Sequence, residues 1–481
     1  MTQLPTETGD ELSRAGGAAP PEALGLVIAW SPAEPGRIGE VAIIPPARPG
    51  VTFLFGRGSA TGSEPEPRLG FARNRAGVVD PRPALSASKI SRVQLRIRLR
   101  GLEYLEVENV GRCPLFHNSR RADSATAVVG DTLQLGQELL LLCVRRRAWV
   151  HSLNGHALPM PFGVADPHGI VGESPTAWEF RRQLAFVGAR PEHVLIAGES
   201  GTGKELAARA VHALSPRAGA TFVARNAATF PEALVDAELF GHAKNYPNVG
   251  MPERQGLIAS AAGATLFLDE IAELSQALQT HLLRVLDRGE YQRLGETLVR
   301  TSDFRLIAAT NRPAQLRSDL LARLKLSLST PSLNDRREDI PLLVVHLLRS
   351  IATANADIGK RLFPQGESSP EPRVRLSFID ALVRRTYLTH VRELEGLLWQ
   401  ALLEGSEGSL DFPSRPPETG TPTPSDDRAH QLRRSLTPTT IEAALNEHDG
   451  SLERTWRALG LSSRHALARL ISKHGLKKPK S

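Results

Sequence analysis

At 481 residues the chain is too long for one ordinary domain, and two to four are expected. Hydrophobic residues make up 41% and charged residues 23%, which supports proper cores and excludes a disordered or fibrous chain. The net charge of +7 is compatible with nucleic acid without demanding it, and the two cysteines, Cys113 and Cys143, sit in no metal-type spacing, so reduced thiols and no structural zinc are expected.

Residues 1–22 read as a flexible tail of Thr, Glu, Gly and Pro, without the basic and apolar regions of a signal peptide. Residues 23–150 read as an all-β unit. Its clearest strand is Val93–Leu99, where Val93, Leu95, Ile97 and Leu99 alternate with Gln94, Arg96 and Arg98. Val51–Phe55, Tyr104–Val107 and Leu139–Val144 add strands between Gly, Pro, Asn and Asp. The most apolar stretch, Leu133–Val144, is too short and interrupted to span a bilayer, so a cytoplasmic protein with no membrane partner is expected. After a linker at 151–169 the pattern changes. Strand-like runs (His193–Ala197, Thr265–Leu268, Phe304–Ala309) alternate with helical runs (Glu205–Leu214, Leu278–Arg288), which implies βαβ units and a parallel sheet over 170–341. Residues 342–407 are helical in pattern, with a polar insertion at 363–374. Residues 408–434 are a Pro/Ser/Thr-rich linker, and 435–481 form a small helical unit.

Gly198-Glu199-Ser200-Gly201-Thr202-Gly203-Lys204 fits GxxxxGK between an apolar strand and a helix. Glycines let backbone N–H groups close around phosphate oxygens, the helix N-terminus adds positive potential, and Lys204 reaches the β/γ-phosphates. The following residue is Glu205, where the general pattern has Ser or Thr, so Mg²⁺ needs other ligands. A second apolar strand ends in Asp269 and Glu270, placing Asp269 to hold Mg²⁺ through water and Glu270 to polarise the attacking water. Alone, such a pair reads as the solvated end of a strand; after a phosphate loop it reads as the other half of an ATP site.

GESGTGKE, FVARNAATFPEALVDAELFGH, GATLFLDEIAEL, HLLRVLDRGEYQRLG, RLIAATNRP and RREDIPLL follow in that order. Together they closely resemble the AAA+ domain of sigma-54-dependent activators, over about 170–400. In that family Glu follows the loop lysine, so Glu205 matches it. The resemblance implies that Asn226 holds the catalytic glutamate until the nucleotide state changes, and that Asn311 senses the γ-phosphate. It implies that Arg317 and Arg323 are fingers reaching a neighbouring subunit's ATP, and that Arg392 is the lid sensor. Without the surrounding motifs, Arg317 and Arg323 read as an exposed helical face. Two motifs depart from the family. The GAFTGA loop that touches sigma-54 is replaced by Asn245, Tyr246, Pro247, Asn248, Val249 and Gly250, and WPGN is replaced by Tyr387-Leu388-Thr389-His390. Tyr246 offers an aromatic contact, Pro247 stiffens the loop, and no Thr is present.

Phe55-Gly56-Arg57-Gly58, Ser91-Arg92-Val93-Gln94 and Gly130–Gly136 resemble a forkhead-associated (FHA) domain, a β-sandwich whose loops bind phosphothreonine peptides. Arg57, Ser91 and Arg92 fall in its phosphate-binding segments, and a guanidinium with a hydroxyl on adjacent loops makes a phosphate clamp. Gln94 stands where the family has a mainly structural His, and Cys113-Pro114-Leu115 where it has an Asn-Gly-Thr turn. The plain alternative is a sandwich kept for protein contact without phosphate.

Near the C-terminus, Ser451–Ala458, Leu459-Gly460-Leu461 and Ser463–Lys473 have the spacing of helix, turn and helix, and resemble the Fis-type DNA-binding domain. Ser463 opens the second helix; Arg464, His465 and Arg469 face the major groove, and Lys473, Lys477, Lys478 and Lys480 neutralise phosphates.

The fold expected is therefore multidomain: an all-β FHA-like sandwich, an α/β AAA+ P-loop domain with a helical lid, and a small all-α helix-turn-helix. The function expected is an ATP-dependent, DNA-binding regulator acting on sigma-54 RNA polymerase. It answers a phosphothreonine protein and works as a homo-oligomer between a dimer and a hexameric or heptameric ring. Two alternatives stand beside it. One is a sigma-54-independent regulator that uses ATP for assembly only. The other is a phosphopeptide-binding scaffold with a vestigial ATPase.

Overall fold

The computed structural model describes residues 22–45, 50–58, 66–101, 103–147, 150, 160–231, 234–363, 372–404, 410–411 and 455. The expected tail before Glu22 and the helix-turn-helix residues Ser463, Arg464, His465, Arg469, Lys473, Lys477, Lys478 and Lys480 lie outside them. The chain divides into two units, Met1–Pro413 and Ser414–Ser481, and the described sheets and their helices lie in the first.

Twelve strands form the N-terminal part: β1 (Glu22–Trp30), β2 (Val41–Ile43), β3 (Thr52–Phe55), β4 (Ala72–Arg75), β5 (Val78–Pro81), β6 (Leu95–Arg100), β7 (Tyr104–Asn109), β8 (Leu115–His117), β9 (Arg120–Ala122), β10 (Ser124–Val128), β11 (Thr132–Leu135) and β12 (Leu139–Arg147). They make an eight-stranded sheet, β5-β4-β2-β1-β12-β11-β8-β9, and a four-stranded sheet, β10-β7-β6-β3, facing each other across one core. The alternation in β6 holds: Leu95, Ile97 and Leu99 are buried and Arg96 and Arg100 exposed. The strand begins at Leu95 and not at Val93, because Gln94 turns its amide inward to bind the loops at Ser91 and Cys113 and the end of β7 at Asn109. Both cysteines are buried free thiols, and burial pushes that of Cys143 up to about 12.

β1 and β12 do not alternate; both of their faces are buried. Leu24, Leu26, Ile28, Leu139, Leu141 and Cys143 fill the space between the sheets. Val27, Ala29, Trp30, Leu140, Leu142 and Val144 enter a second core. A bulge between Ile28 and Trp30 turns both Ala29 and Trp30 to that side.

The next part is built on α1 (Pro175–Gly188), β13 (Val194–Ala197), α2 (Lys204–Ala213), β14 (Phe222–Asn226), α3 (Val235–Phe240), β15 (Gly241–His242), β16 (Arg254–Gln255), α4 (Leu257–Ser260), β17 (Thr265–Asp269), α5 (Gln276–Arg288), β18 (Glu290–Tyr291), β19 (Arg300–Thr301), β20 (Arg305–Thr310), α6 (Ser318–Arg323) and β21 (Leu326–Ser329). Its sheet runs β14-β17-β20-β13-β21, all neighbours parallel. The first strand in sequence, β13, lies inside the sheet, so its carboxyl end opens on the crevice where such sheets bind ligands. α1 is capped by Ser174, whose hydroxyl accepts the Ala177 N–H at 3.0 Å. Its last carbonyls, Val187 and Gly188, accept from the buried Arg305 guanidinium at 2.8 and 3.2 Å, and burial pulls Arg305 down to about 10.

The lid is α7 (Ile340–Ala354), α8 (Ala356–Leu362), α9 (Leu376–Arg384) and α10 (His390–Glu404). The boundary expected between 341 and 342 falls inside α7, which carries Pro341 in its first turn, where the missing N–H costs nothing. Lid and β unit share the second core: Trp30, Leu140 and Leu142 pack in one cluster with Leu342, Leu348, Phe378, Ile379 and Leu382. Polar contacts fasten the same face. Asp380 on α9, 1% exposed, accepts the hydroxyls of Thr132 at 2.5 Å and of Ser119. Arg146 pairs with Glu338 at 2.8 Å. Residues 160–169 of the expected linker are packed as well, and the Met160 carbonyl accepts from Arg75 at 2.8 Å. Among the described residues, no helix is long and apolar enough to cross a membrane.

Candidate functional site: a phosphate loop pressed against its lid

β13 delivers the chain into Gly198–Lys204, and α2 leaves it. Gly201 (φ +79) and Gly203 (φ +96) are in the left-handed region, as a loop that turns its amides inward requires. Gly198 has no room for a side chain: a Cβ would stand 1.9 Å from the Thr330 hydroxyl. That hydroxyl lies 2.7 Å from the one on Thr202, which donates in turn to the Glu199 carbonyl. Lys204 is 7% exposed and donates to the carbonyls of Gly198 and Glu199 at 3.1 and 3.3 Å. Glu205 follows at the first turn of α2 and pairs with Arg209 along the helix.

β17 ends at Asp269, and Asn226 is its register partner on β14. The Asp269 carboxylate accepts the Glu270 N–H at 2.9 Å, and burial holds its pKa above the usual carboxylate value. Glu270 has φ +50, and its Oε1 stands 3.8 Å from Lys204 Nζ. Its Oε2 is buried and meets no hydrogen-bond partner among the described residues. The Asn226 amide oxygen caps a turn by accepting the Ala228 N–H at 2.9 Å. Asn311 follows β20 directly and is exposed. Lys204, Asp269, Glu270 and Asn226 are thus gathered at the carboxyl ends of β13, β14 and β17.

Arg317 precedes α6 and Arg323 is its last residue. Arg317 forks onto Asp319 with its closest contact at 2.6 Å, and Arg323 pairs with Asp287 on α5. Each guanidinium is raised first by its hydrogen bond to that aspartate.

The lid reaches the loop through three successive residues. The Val391 N–H donates to the Gly201 carbonyl at 3.2 Å, Arg392 donates to the Ser200 hydroxyl at 3.2 Å, and the His390 ring meets Glu199 at 3.1 Å. The sequence assigned Arg392 but not His390 or Thr330. Only the departure at 387–390 pointed toward His390.

The GAFTGA position is a surface loop beside the β15–β16 ribbon. The Asn245 amide closes it by accepting the Gly250 N–H at 2.9 Å. Tyr246 lies on Gly295, where a Cβ would come within 2.4 Å of the ring. Pro247 and Asn248 lead to Val249, which is 94% exposed.

A second constellation lies at one end of the two-sheet unit. Gly56 is so close to the backbone of Ser91 and Arg92 that a Cβ would stand 2.5 and 2.4 Å from their carbonyl oxygens. The Arg57 N–H donates to the Ser91 carbonyl at 2.9 Å. The Ser91 hydroxyl accepts the Arg112 N–H at 3.0 Å, bringing to the cluster an arginine the sequence reading did not assign. Gln94, fully buried, accepts the Ser91 N–H at 3.0 Å and donates to the Cys113 carbonyl at 2.8 Å and to Asn109 at 2.6 Å. Arg92 is exposed, and Arg57 Nε is buried without a partner among the described residues.

Residues 170–328 match the sigma-54 interaction domain. The transcriptional regulatory protein ZraR of Escherichia coli is 36% identical over 337 residues, 67% of this chain and 72% of ZraR. The DNA-binding transcriptional regulator NtrC of Klebsiella pneumoniae is 39% identical over 264 residues, 53% of this chain and 54% of NtrC. The crystal structure of NtrX from Brucella abortus in complex with ADP aligns with 65% of this chain and 70% of that one, at 27% identity and a TM-score of 0.45. With a sigma-54 interaction domain built on a phosphate loop and two strand-end carboxylates, and with identity of this extent to ZraR, the chain belongs to the sigma-54-dependent transcriptional regulators.

Proposed function

We propose that the chain hydrolyses ATP as a homo-oligomeric ring, binds DNA through 435–481, and remodels sigma-54 RNA polymerase in the cytoplasm under control of a phosphoprotein read by an FHA-like domain at 23–150. The remaining limits are 170–341 for the AAA+ core, 342–407 for the lid, and 151–169 and 408–434 for the linkers.

The observation that carries the ATP reading is the orphaned, buried Glu270 Oε2 beside Lys204 and Asp269. A buried carboxylate oxygen without a partner is costly, and a polarised water at that point satisfies it. Asp269 suits Mg²⁺, a hard cation that takes one or two carboxylates and completes its shell with water and phosphate. Mg²⁺, once bound, neutralises charge on the phosphates. Lys204 exchanges the loop carbonyls for phosphate oxygens, the N–H groups of Gly201–Lys204 line the same oxygens, and Glu270 orients the attacking water. Asn226 holds Glu270 back between turnovers, and Asn311 senses the γ-phosphate. Arg392, already on the loop at Ser200, senses the nucleotide from the lid. Arg317 and Arg323 leave their own aspartates to serve the neighbouring subunit. In the FHA-like domain, Arg57, Ser91 and Arg92, joined by Arg112, form the phosphate clamp, and Gln94 does the structural work expected of the family's His.

A second reading, a regulator that acts without sigma-54, is favoured by the loop at 245–250. Its aromatic ring is seated on Gly295, and an aliphatic Val249 stands at the tip. The test mixes purified chain, sigma-54 and an ATP analogue trapped in a transition-state-like form, followed on native gels. A complex lost on Lys204→Ala supports the sigma-54 reading. ATP turnover without a complex selects the second.

A further inference from the structure

His390 opens α10 with φ +48, a left-handed conformation that His, like Asn and Asp, adopts more readily than bulkier residues. It is completely buried, so its ring nitrogens must find partners within the protein. One partner fixes the tautomer. The Leu333 N–H is only a donor, so Nδ1 at 3.4 Å accepts, the proton sits on Nε2, and Nε2 donates to Glu199 Oε2 at 3.1 Å. The ring therefore joins the segment entering the lid to a phosphate-loop carboxylate that is otherwise 67% exposed.

Both ends of this bridge are anchored. The Asn334 amide grips Tyr387 twice, accepting its N–H at 2.9 Å and donating to its carbonyl at 2.8 Å. Glu393 accepts the N–H groups of Leu388 and Thr389 at 2.8 and 3.2 Å, so the turn before α10 is closed from both sides. On the loop side, a Cβ on Gly201 would stand 2.1 Å from the Thr389 carbonyl oxygen, so backbone rests on backbone. A movement of Gly201 toward the lid therefore has to displace the turn at 387–390.

We propose that His390 is a positioning residue of the nucleotide site: through Glu199 it fastens the phosphate loop to the lid, so that lid placement sets the loop's affinity for the nucleotide triphosphate. The proposal rests on the nucleotide-binding reading of the phosphate loop. Its test measures binding of a fluorescent ATP analogue to the full chain, and steady-state turnover, for His390→Asn, Glu199→Ala, Glu199→Gln and the double variant. His390→Asn keeps the left-handed backbone and a polar side chain but is too short to bridge Leu333 and Glu199. It is expected to weaken binding about fivefold to tenfold, the scale of one lost hydrogen bond, and to raise KM with kcat held within about twofold. Glu199→Ala gives the same loss and the double variant no more, while Glu199→Gln, which keeps an acceptor oxygen, recovers part of the affinity that Glu199→Ala loses. Additive losses, or a fall in kcat at unchanged KM, overturn the proposal. Unchanged binding by His390→Asn, in a wild type whose binding is lost on Lys204→Ala, overturns it alone. Absence of binding by wild type overturns the nucleotide reading and this proposal with it.

Discussion

Trp30→Ala tests whether the β unit and the lid are one body. Trp30 is 1% exposed and lies in the cluster that contains Phe378, Ile379 and Leu382 of α9 and Leu342 and Leu348 of α7. Truncating a buried tryptophan costs about 3–5 kcal/mol, because the transfer energy of the ring is lost and the cavity closes only in part. In a body with one core, that loss falls on both sides of the contact. Hydrogen exchange followed by mass spectrometry is the assay. Amides of β1 and β12 and those of α7 and α9 are expected to lose protection by the same increment, on the order of 3 kcal/mol. The sheet β14-β17-β20-β13-β21 has separate cores with no residue from the β unit and serves as the internal reference. Lost protection in β1 and β12 with α7 and α9 unchanged would refute the shared core.

Arg323→Ala is expected to lower ATP turnover by about three orders of magnitude while leaving nucleotide affinity intact, as for a finger supplied in trans. Affinity lost in parallel with turnover would place Arg323 in its own subunit's site. Gln94→Ala strands the N–H groups of Ser91 and Cys113 and is expected to cost roughly 2–3 kcal/mol in urea unfolding; a change within error would mean the two loops hold without it. His193 predicts the pH dependence. Its Nδ1 accepts the Leu306 N–H at 3.0 Å, and burial, with Arg305 nearby, holds its pKa below the ordinary 6.5. The unfolded chain therefore binds the proton first. The stability this histidine contributes is full above about pH 6.5 and is lost as pH falls through that value toward the folded pKa. The drop in urea midpoint between pH 7.5 and pH 5.5 should shrink in His193→Gln, and an equal drop in both proteins would exclude His193 as its source.

Local chemistry made the phosphate site readable. The glycines of 198–203, the apolar strand before them and the carboxylates ending β17 each follow from backbone rules confined to a few residues. The Val93 start of β6 failed for an equally local reason, because Gln94 interrupts the strand to satisfy loop groups. The long-range links were harder. His390 and Glu199 are 191 positions apart, and Asp380 and Thr132 are 248 apart. No period connects such pairs. One signal did exist. The runs Leu24–Trp30 and Leu139–Val144 do not alternate, and an antiparallel strand apolar on both faces needs a second layer over it. What covers them is the lid.

The two sides of that lid are held by different physics, and the magnitudes decide which side governs. Toward the phosphate loop stand three polar contacts at 3.1–3.2 Å, from Val391, Arg392 and His390, and hydrogen bonds of this kind contribute about 0.5–1.5 kcal/mol each. Toward the β unit stand the buried side chains of Trp30, Leu140, Leu142 and Val144, facing Phe378, Ile379 and Leu382. Each fully buried apolar side chain of this size contributes roughly 1.5–3 kcal/mol, and Asp380 adds its two hydroxyl contacts. A few kcal/mol therefore opposes something on the order of 10 kcal/mol. Energetically the lid is held more firmly to the β unit than to the phosphate loop. It only rests on the phosphate loop, and the loop-side contacts are the ones a bound nucleotide has the energy to remake.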